Sequence, residues 1–214
     1  VSDGKKLHDT LVRALSEGGA PIGIGRYNEA RPLYTAPALK HEGNEGPEWR
    51  TVHVGIDVFA DAGTKVYAPL DGLVVSAVDN AGDRNYGPTL ILQHQPVPEL
   101  TFYTLFGHLS QKSISQLKAG DHVAAGSVIG TLGEMNENGG WSPHLHFQVM
   151  LDLLDSRGDF IGVVLPSQRH IWTSICPDPW WLIGGRPSIE IQAHDGTSME
   201  AWVAYRQDHL GKNL

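Results

Sequence analysis

The stretch Ser142-Pro143-His144-Leu145-His146-Phe147-Gln148-Val149 sets two imidazoles one residue apart on a run with the apolar character of a strand. In an extended strand the side chains of His144 and His146 leave from the same face, with Cα atoms roughly 6.7 Å apart. That separation suits two different tasks. One ring binds an ion, and the other stands beside the ion's open position and handles a proton or a developing negative charge. Upstream, His53-Val54-Gly55-Ile56-Asp57 offers a further imidazole and a carboxylate. Positions four apart on a regular strand share a face but lie roughly 13 Å from each other, so this run must bend for both to reach one ion. Gly55 is the residue type that allows a bulge or kink without a Cβ clash. A neutral imidazole, an ionised carboxylate and one more histidine make a three-ligand set that leaves zinc a fourth, reactive position. Packing alone would make His-Leu-His a solvated polar strand face and the upstream pair a structural His-Asp contact. The two motifs together favour a metal site over either.

The elements that must position these residues are β-rich. From Thr51 onward, short apolar runs separated by turn residues predict an all-β protein with an antiparallel sheet or sandwich core. Strands are expected near 54–58, 65–68, 72–79, 89–94, 101–107, 122–124, 128–133 and 144–151. Bends are supplied by Asp61-Ala62-Gly63, Asp71-Gly72, Asn80-Ala81-Gly82-Asp83, Lys118-Ala119-Gly120-Asp121 and Asn138-Gly139-Gly140. Before the sheet, Leu7, Leu11, Ala14 and Leu15 recur at helical spacing, with Asp3 as a cap and Gly18-Gly19 as a stop, which predicts a short N-terminal helix. Between Ala20 and Trp49 the density of Gly and Pro excludes long regular elements, so this stretch is expected to wrap the domain edge and rim a cleft. The resulting division is a lead-in over 1–44, a domain over 45–185 and a C-terminal linker or tail over 186–214.

Composition narrows the function classes. The chain has 214 residues and 41% hydrophobic content, enough for one domain with extensions. With 24 acidic against 16 basic residues and a net charge of -8, it offers no broad basic field for nucleic acid or anionic membrane. Its single cysteine, Cys176, excludes an internal disulfide and reads as a small buried residue rather than a nucleophile. The sequence opens without a hydrophobic signal core and contains no apolar run long enough to span a bilayer. A piece of a longer cytoplasmic polypeptide is therefore expected, although a mature secreted protein would show the same start. Of the eleven histidines, His8, His41, His170, His194 and His209 have no partner motif. His94 reads as a polar strand end and His122 as an exposed turn residue. His108 ends the aromatic run Phe102-Tyr103-Thr104-Leu105-Phe106, and on packing grounds alone it is structural.

His53-x-x-x-Asp57 followed by His144-x-His146 is similar to the zinc endopeptidases of the lysostaphin or LytM type, and the resemblance runs from about His53 to Val149. Thr64 to Val75 matches that family's strand-turn-strand element, Phe106-Gly107-His108-Leu109-Ser110 its next histidine motif, and Gly120 to Gly130 its turn-rich hairpin. By this resemblance His53, Asp57 and His146 hold Zn2+, while His108 and His144 flank the water and act as the catalytic pair. It implies hydrolysis of an amide bond in a peptide, with peptidoglycan or glycine-containing peptides as the substrate class. Asn138-Gly139-Gly140-Trp141-Ser142-Pro143-His144 with Cys176-Pro177-Asp178-Pro179 resembles a subgroup found between a choline-kinase-like phosphotransferase and a class III aminotransferase. Tyr205 to Leu214 looks like the lead into such an aminotransferase. Two alternatives stay open: a zinc-assisted hydrolase, lyase or cyclase acting on a small amino-acid-derived intermediate, and a metal-containing binding module that turns nothing over.

Overall fold

Side chains leaving the central strands towards opposite faces, most of them buried on both, give the fold its two cores. In the computed structural model the chain is described over residues 4–31, 34, 39–43 and 46–183. The main sheet has seven antiparallel strands, built around β8 (Gly72–Asn80), β9 (Gly87–Val97), β10 (Leu100–Gly107) and β13 (His144–Met150). Beyond β13 come β6 (Ile56–Phe59) and then β1 (Gly23–Gly25), and β11 (His122–Val123) closes the other edge beside β8. Along β9, Leu90 and Leu92 enter one core while Ile91 enters the other; along β10, Phe106 and Leu105 divide in the same way. Strands buried on both faces read as continuous apolar runs rather than as alternation, as Leu90-Ile91-Leu92 does. The first core also receives Val66 from β7 (Lys65–Tyr67) and Ile129 from β12 (Val128–Thr131), which pair as a small second sheet.

The second core draws on residues after the main sheet. Phe160, Val164 of β14 (Val163–Val164) and Cys176 pack with Val52, Val54, Leu105 and Met150. Cys176 follows the short helix Arg169–Ile175 and is fully buried, and burial pushes its thiol up to about 12. A thiol so raised stays protonated and unreactive at neutral pH.

The expected strand over 54–58 begins only at Ile56, and a separate two-residue strand precedes it. β5 (Val52–His53) pairs with β14 on one side and with β2 (Glu29–Ala30) on the other, whereas β6 belongs to the main sheet. Val54 and Gly55 carry the chain between these sheets, and that break brings His53 back towards Asp57. Between Ala20 and Trp49 the described residues form only short elements: β1, β2 and the hairpin of β3 (Lys40–Gly43) with β4 (Gly46–Trp49). Strand β1 nonetheless extends the main sheet, pairing Gly25 with Asp57. The N-terminal helix α1 runs Gly4–Gly18 and ends at Gly19, whose φ of +61° is the left-handed conformation a helix terminus favours. The suggested cap Asp3, the tail over 186–214, His194, His209 and the aminotransferase-like stretch from Tyr205 lie outside the described residues.

Candidate metal centre

The ladder between β6 and β13 sets Asp57 directly opposite His146, and the ladder between β10 and β13 sets Gly107 opposite His146 on its other side. His144 lies two residues back on the same face of β13, and His53 enters from β5 across the Gly55 break. The glycine serves close approach as much as bending: a Cβ there would lie 2.7 Å from Cε1 of His146 and 2.8 Å from the carbonyl oxygen of Phe147. His53, Asp57, His108, His144 and His146 are all buried.

Each imidazole has one nitrogen tied to an oxygen acceptor, which decides where its lone pair points. His53 Nδ1 donates to the carbonyl of Arg26 at 3.3 Å, His108 Nδ1 to that of Asn138 at 2.9 Å, and His144 Nδ1 to that of Ser142 at 2.7 Å. His146 Nε2 donates to Gln148 Oε1 at 2.9 Å. The Gln148 amide is oriented by its own Nε2, which donates to the carbonyl of Ile161 at 3.1 Å and to the Cys176 sulfur at 3.3 Å. A neutral imidazole carries one N–H, so His53 Nε2, His108 Nε2, His144 Nε2 and His146 Nδ1 are the unprotonated nitrogens.

Two of these lone pairs meet a carboxylate. His53 Nε2 and His146 Nδ1 stand 2.9 Å apart, and each is 3.2 Å from Asp57 Oδ1. Three acceptors converge with no proton left to place between them, an arrangement that repels itself unless a cation sits in the middle. Metal–ligand bonds of about 2.0–2.1 Å at tetrahedral angles put neighbouring donors roughly 3.3 Å apart, close to the observed triangle. The donor set of two imidazoles and one carboxylate fits zinc.

The other two imidazoles lie beside this triangle. His144 Nε2 is 3.7 Å from Asp57 Oδ1, its ring stacks on Phe59 at 4.9 Å, and the ring centre of His108 is 4.2 Å away. His108 adopts φ of +62°, a left-handed conformation that a side chain with a Cβ seldom takes. It is held there by N–H donation to the carbonyl of Tyr86 at 3.0 Å and by its bond to Asn138. Backbone strain of this kind persists only where the surroundings over-determine it, and here it turns the imidazole towards His144. Trp141 closes the side, 6.3 Å from His108 and 6.5 Å from His144, with the Arg84 guanidinium 4.7 Å from the indole ring.

Burial sets the protonation states. It pulls His53, His108 and His144 below the ordinary imidazole range, and at His108 the neighbouring His144 adds to the effect. Burial alone would raise Asp57, but His53, His144 and His146 gathered round it hold its carboxyl well below the usual range. Neutral rings around an ionised carboxylate are the state in which a divalent cation is bound.

The remaining histidines have other surroundings. His94 lies within β9, fully buried, and its ring bridges the carbonyl of Asp71 at 2.8 Å and the hydroxyl of Thr104 at 2.7 Å. It is a packing residue inside the strand rather than a strand end. His122 is exposed. His8 on α1 is hydrogen-bonded to Ser142 Oγ at 2.9 Å, so the helix docks beside the strand that carries His144.

An antiparallel β-sheet carrying a buried two-histidine, one-carboxylate donor set with two further imidazoles alongside defines a metal-hydrolase type of site. The profile of peptidase family M23 matches residues 51–161, just over half of the chain, and the chain belongs to that family. It is 34% identical over 104 residues to lysostaphin of Staphylococcus simulans, covering 47% of this chain and 18% of that protein. It is 36% identical over 101 residues to the glycyl-glycine endopeptidase ALE-1 of Staphylococcus capitis, covering 46% and 24%. To the peptidoglycan DD-endopeptidase ShyC of Vibrio cholerae it is 32% identical over 100 residues, covering 47% and 20%. The chain thus spans about a fifth to a quarter of the length of these curated relatives. Superposition on the catalytic domain of lysostaphin from Staphylococcus simulans gives a TM-score of 0.46 at 23% identity, covering 80% of this chain and 96% of that one.

Proposed function

We propose that the chain is a zinc-dependent hydrolase of amide or peptide bonds in which His53, Asp57 and His146 hold the metal and His108 and His144 handle protons. The observation that carries this assignment is the tautomer arrangement: every one of the four imidazoles is pinned by an outer acceptor so that its free nitrogen is the other one. A bound zinc ion supplies Lewis acidity, which polarises a scissile carbonyl and eases deprotonation of the attacking water. His144 and His108, unprotonated at Nε2, take up the proton that the water gives away. Their contact at 4.2 Å between ring centres disfavours a second charge, so the pair carries a single proton and returns it to the leaving amine. Alternation between base and acid by one group is what amide cleavage requires.

Peptides containing glycine, including those of peptidoglycan, are the substrate class that the relatives' names suggest for this chain. A finer reading places it inside a longer cytoplasmic polypeptide, between phosphotransferase and aminotransferase domains. That reading divides the chain into a lead-in over 1–44, the hydrolase domain over 45–185 and a linker over 186–214. It rests on the motifs around Trp141 and Cys176 and on the tail sequence. In that setting the chain is a zinc-assisted hydrolase, lyase or cyclase acting on a small amino-acid-derived intermediate passed between domains.

Incubation of the zinc-loaded protein with peptidoglycan, with short glycyl peptides and with small aminoacyl amides separates these readings. Release of new amino groups that stops on chelation and returns with zinc supports hydrolysis, and the substrate turned over identifies the class. A fully loaded protein that turns over none of them contradicts the proposal and leaves a binding module.

A further inference from the structure

Arg31 precedes the family-matched residues 51–161, yet it reaches into the centre. Its Nη1 donates to Asp57 Oδ2 at 2.6 Å and to the Tyr34 hydroxyl at 2.8 Å, and its Nε donates to Glu29 Oε2 at 3.3 Å. The two oxygens of Asp57 are thereby given different partners. Oδ1 faces the imidazoles of His53 and His146, and Oδ2 faces the guanidinium. The arrangement is built rather than incidental. The Arg31 side chain is only 12% exposed, and its backbone N–H donates to the carbonyl of Thr51 at 2.8 Å. Gly25, the register partner of Asp57 on β1, leaves the space: a Cβ there would lie 2.5 Å from Arg31 Nη2.

A carboxylate binds a metal ion through one oxygen or through both. Binding through both fills coordination space that a catalytic zinc site keeps for water and substrate. A guanidinium is planar, permanently charged and suited to hold a carboxylate oxygen in a fixed direction. We propose that Arg31 is a positioning residue for the metal centre: by holding Oδ2 it keeps Asp57 a one-oxygen donor and keeps the remaining position open. The proposal rests on the reading of His53, Asp57 and His146 as metal ligands. It makes the lead-in a working part of the site, in addition to an edge strand of the sheet.

The test uses cobalt(II) in place of zinc, because the intensity of its visible absorption reports coordination number. The wild-type chain, Arg31→Met, Arg31→Lys and Gly25→Ala are each loaded and compared. Wild type is expected to show the intense four-coordinate band. Arg31→Met should still take up one cobalt per chain, with a weakened band typical of higher coordination. In the zinc-loaded form its kcat should fall roughly tenfold or more with little change in KM. Gly25→Ala, whose Cβ would lie 2.5 Å from Arg31 Nη2 and 3.1 Å from Asp57 Cβ, disturbs the same contact with the guanidinium still present and should weaken the band in the same way. Arg31→Lys, which keeps a cation beside Oδ2, should restore most of the wild-type spectrum. Wild-type protein that takes up no cobalt overturns the metal-centre reading itself. Wild type and Arg31→Met that both load and give the same spectrum overturn the role of Arg31 alone. So does loss of cobalt in Arg31→Met alongside an unchanged spectrum in Gly25→Ala.

Discussion

His146 donates from Nε2 to Gln148 Oε1, 2.9 Å away and two residues along the same strand, with the Tyr86 hydroxyl 3.3 Å from the same nitrogen, and these partners turn its Nδ1 lone pair towards Asp57 and His53. Gln148 is fully buried and held by Ile161 and Cys176, so the acceptor cannot swing away. Replacing it with Leu should remove the shorter-range acceptor, leaving only the Tyr86 hydroxyl at 3.3 Å, and lower metal affinity by about tenfold, the lower end of the usual cost of losing such an outer partner. Gln148→Glu, which still accepts, should stay nearer wild type. Competition with a chromophoric chelator measures both, and equal affinities for Gln148→Leu and wild type would contradict the role.

Gly55 tests the packing of the same ring. A Cβ at this position meets His146 Cε1 at 2.7 Å and the backbone of Phe147 at 2.8 Å, so Gly55→Ala must displace the imidazole or the strand. Overpacking of this kind costs about 1–3 kcal/mol. The variant should therefore unfold at lower denaturant concentration than wild type, and it should bind metal more weakly. Wild-type stability together with wild-type metal affinity would show that the clash is relieved without moving the ring.

Part of this site was legible in local pattern, while the place of His108 in it rested on the family resemblance rather than on any spacing. The spacing of His144 and His146 follows directly from strand geometry, and Gly55 marked the bend between His53 and Asp57. Gln148 could have been found by the same period of two, since it continues the face of His144 and His146. Arg31 could not. Nothing in Glu29-Ala30-Arg31 distinguishes that arginine from a surface charge, and its contact with Asp57 depends on β1 joining the sheet far from it in sequence. The stretch from Ala20 to Trp49 was expected to lack long elements, and among its described residues the strands are two to four residues long. Pairing with distant partners, rather than local propensity, makes them strands. His94 misled for a related reason: a histidine after Leu90-Ile91-Leu92-Gln93 looks like a strand end, but the ladder with β10 continues past it.

The buried imidazoles give the metal-free protein a signature in acid. His53, His108 and His144 are held below the ordinary imidazole value of 6.5 by burial, so the unfolded chain takes up protons near that pH while the folded chain does not. The unfolded state then binds more protons, and stability falls as pH drops, by about 1.4 kcal/mol per pH unit for each proton of difference. Asp57, depressed below 3.8, acts in the same direction in a lower window, its contribution being lost as pH falls from there through the folded value. Denaturant midpoints of chelator-treated protein should be flat above neutrality and decline steeply below about pH 6.5. A midpoint unchanged between neutrality and the carboxylate range would contradict neutral, buried rings.

The metal content of five alanine variants, measured by elemental analysis after growth with added zinc and purification without chelator, bears most directly on the central claim. Wild type should hold close to one zinc per chain, since such sites bind tightly enough to survive mild handling. His53→Ala, Asp57→Ala and His146→Ala each delete one corner of the donor triangle and should lose most of that zinc. His144→Ala and His108→Ala should keep it, while activity drops by about a hundredfold to ten-thousandfold. The contrary result would be zinc lost from His144→Ala and retained by His146→Ala, which would put the ligand at His144 and the proton at His146.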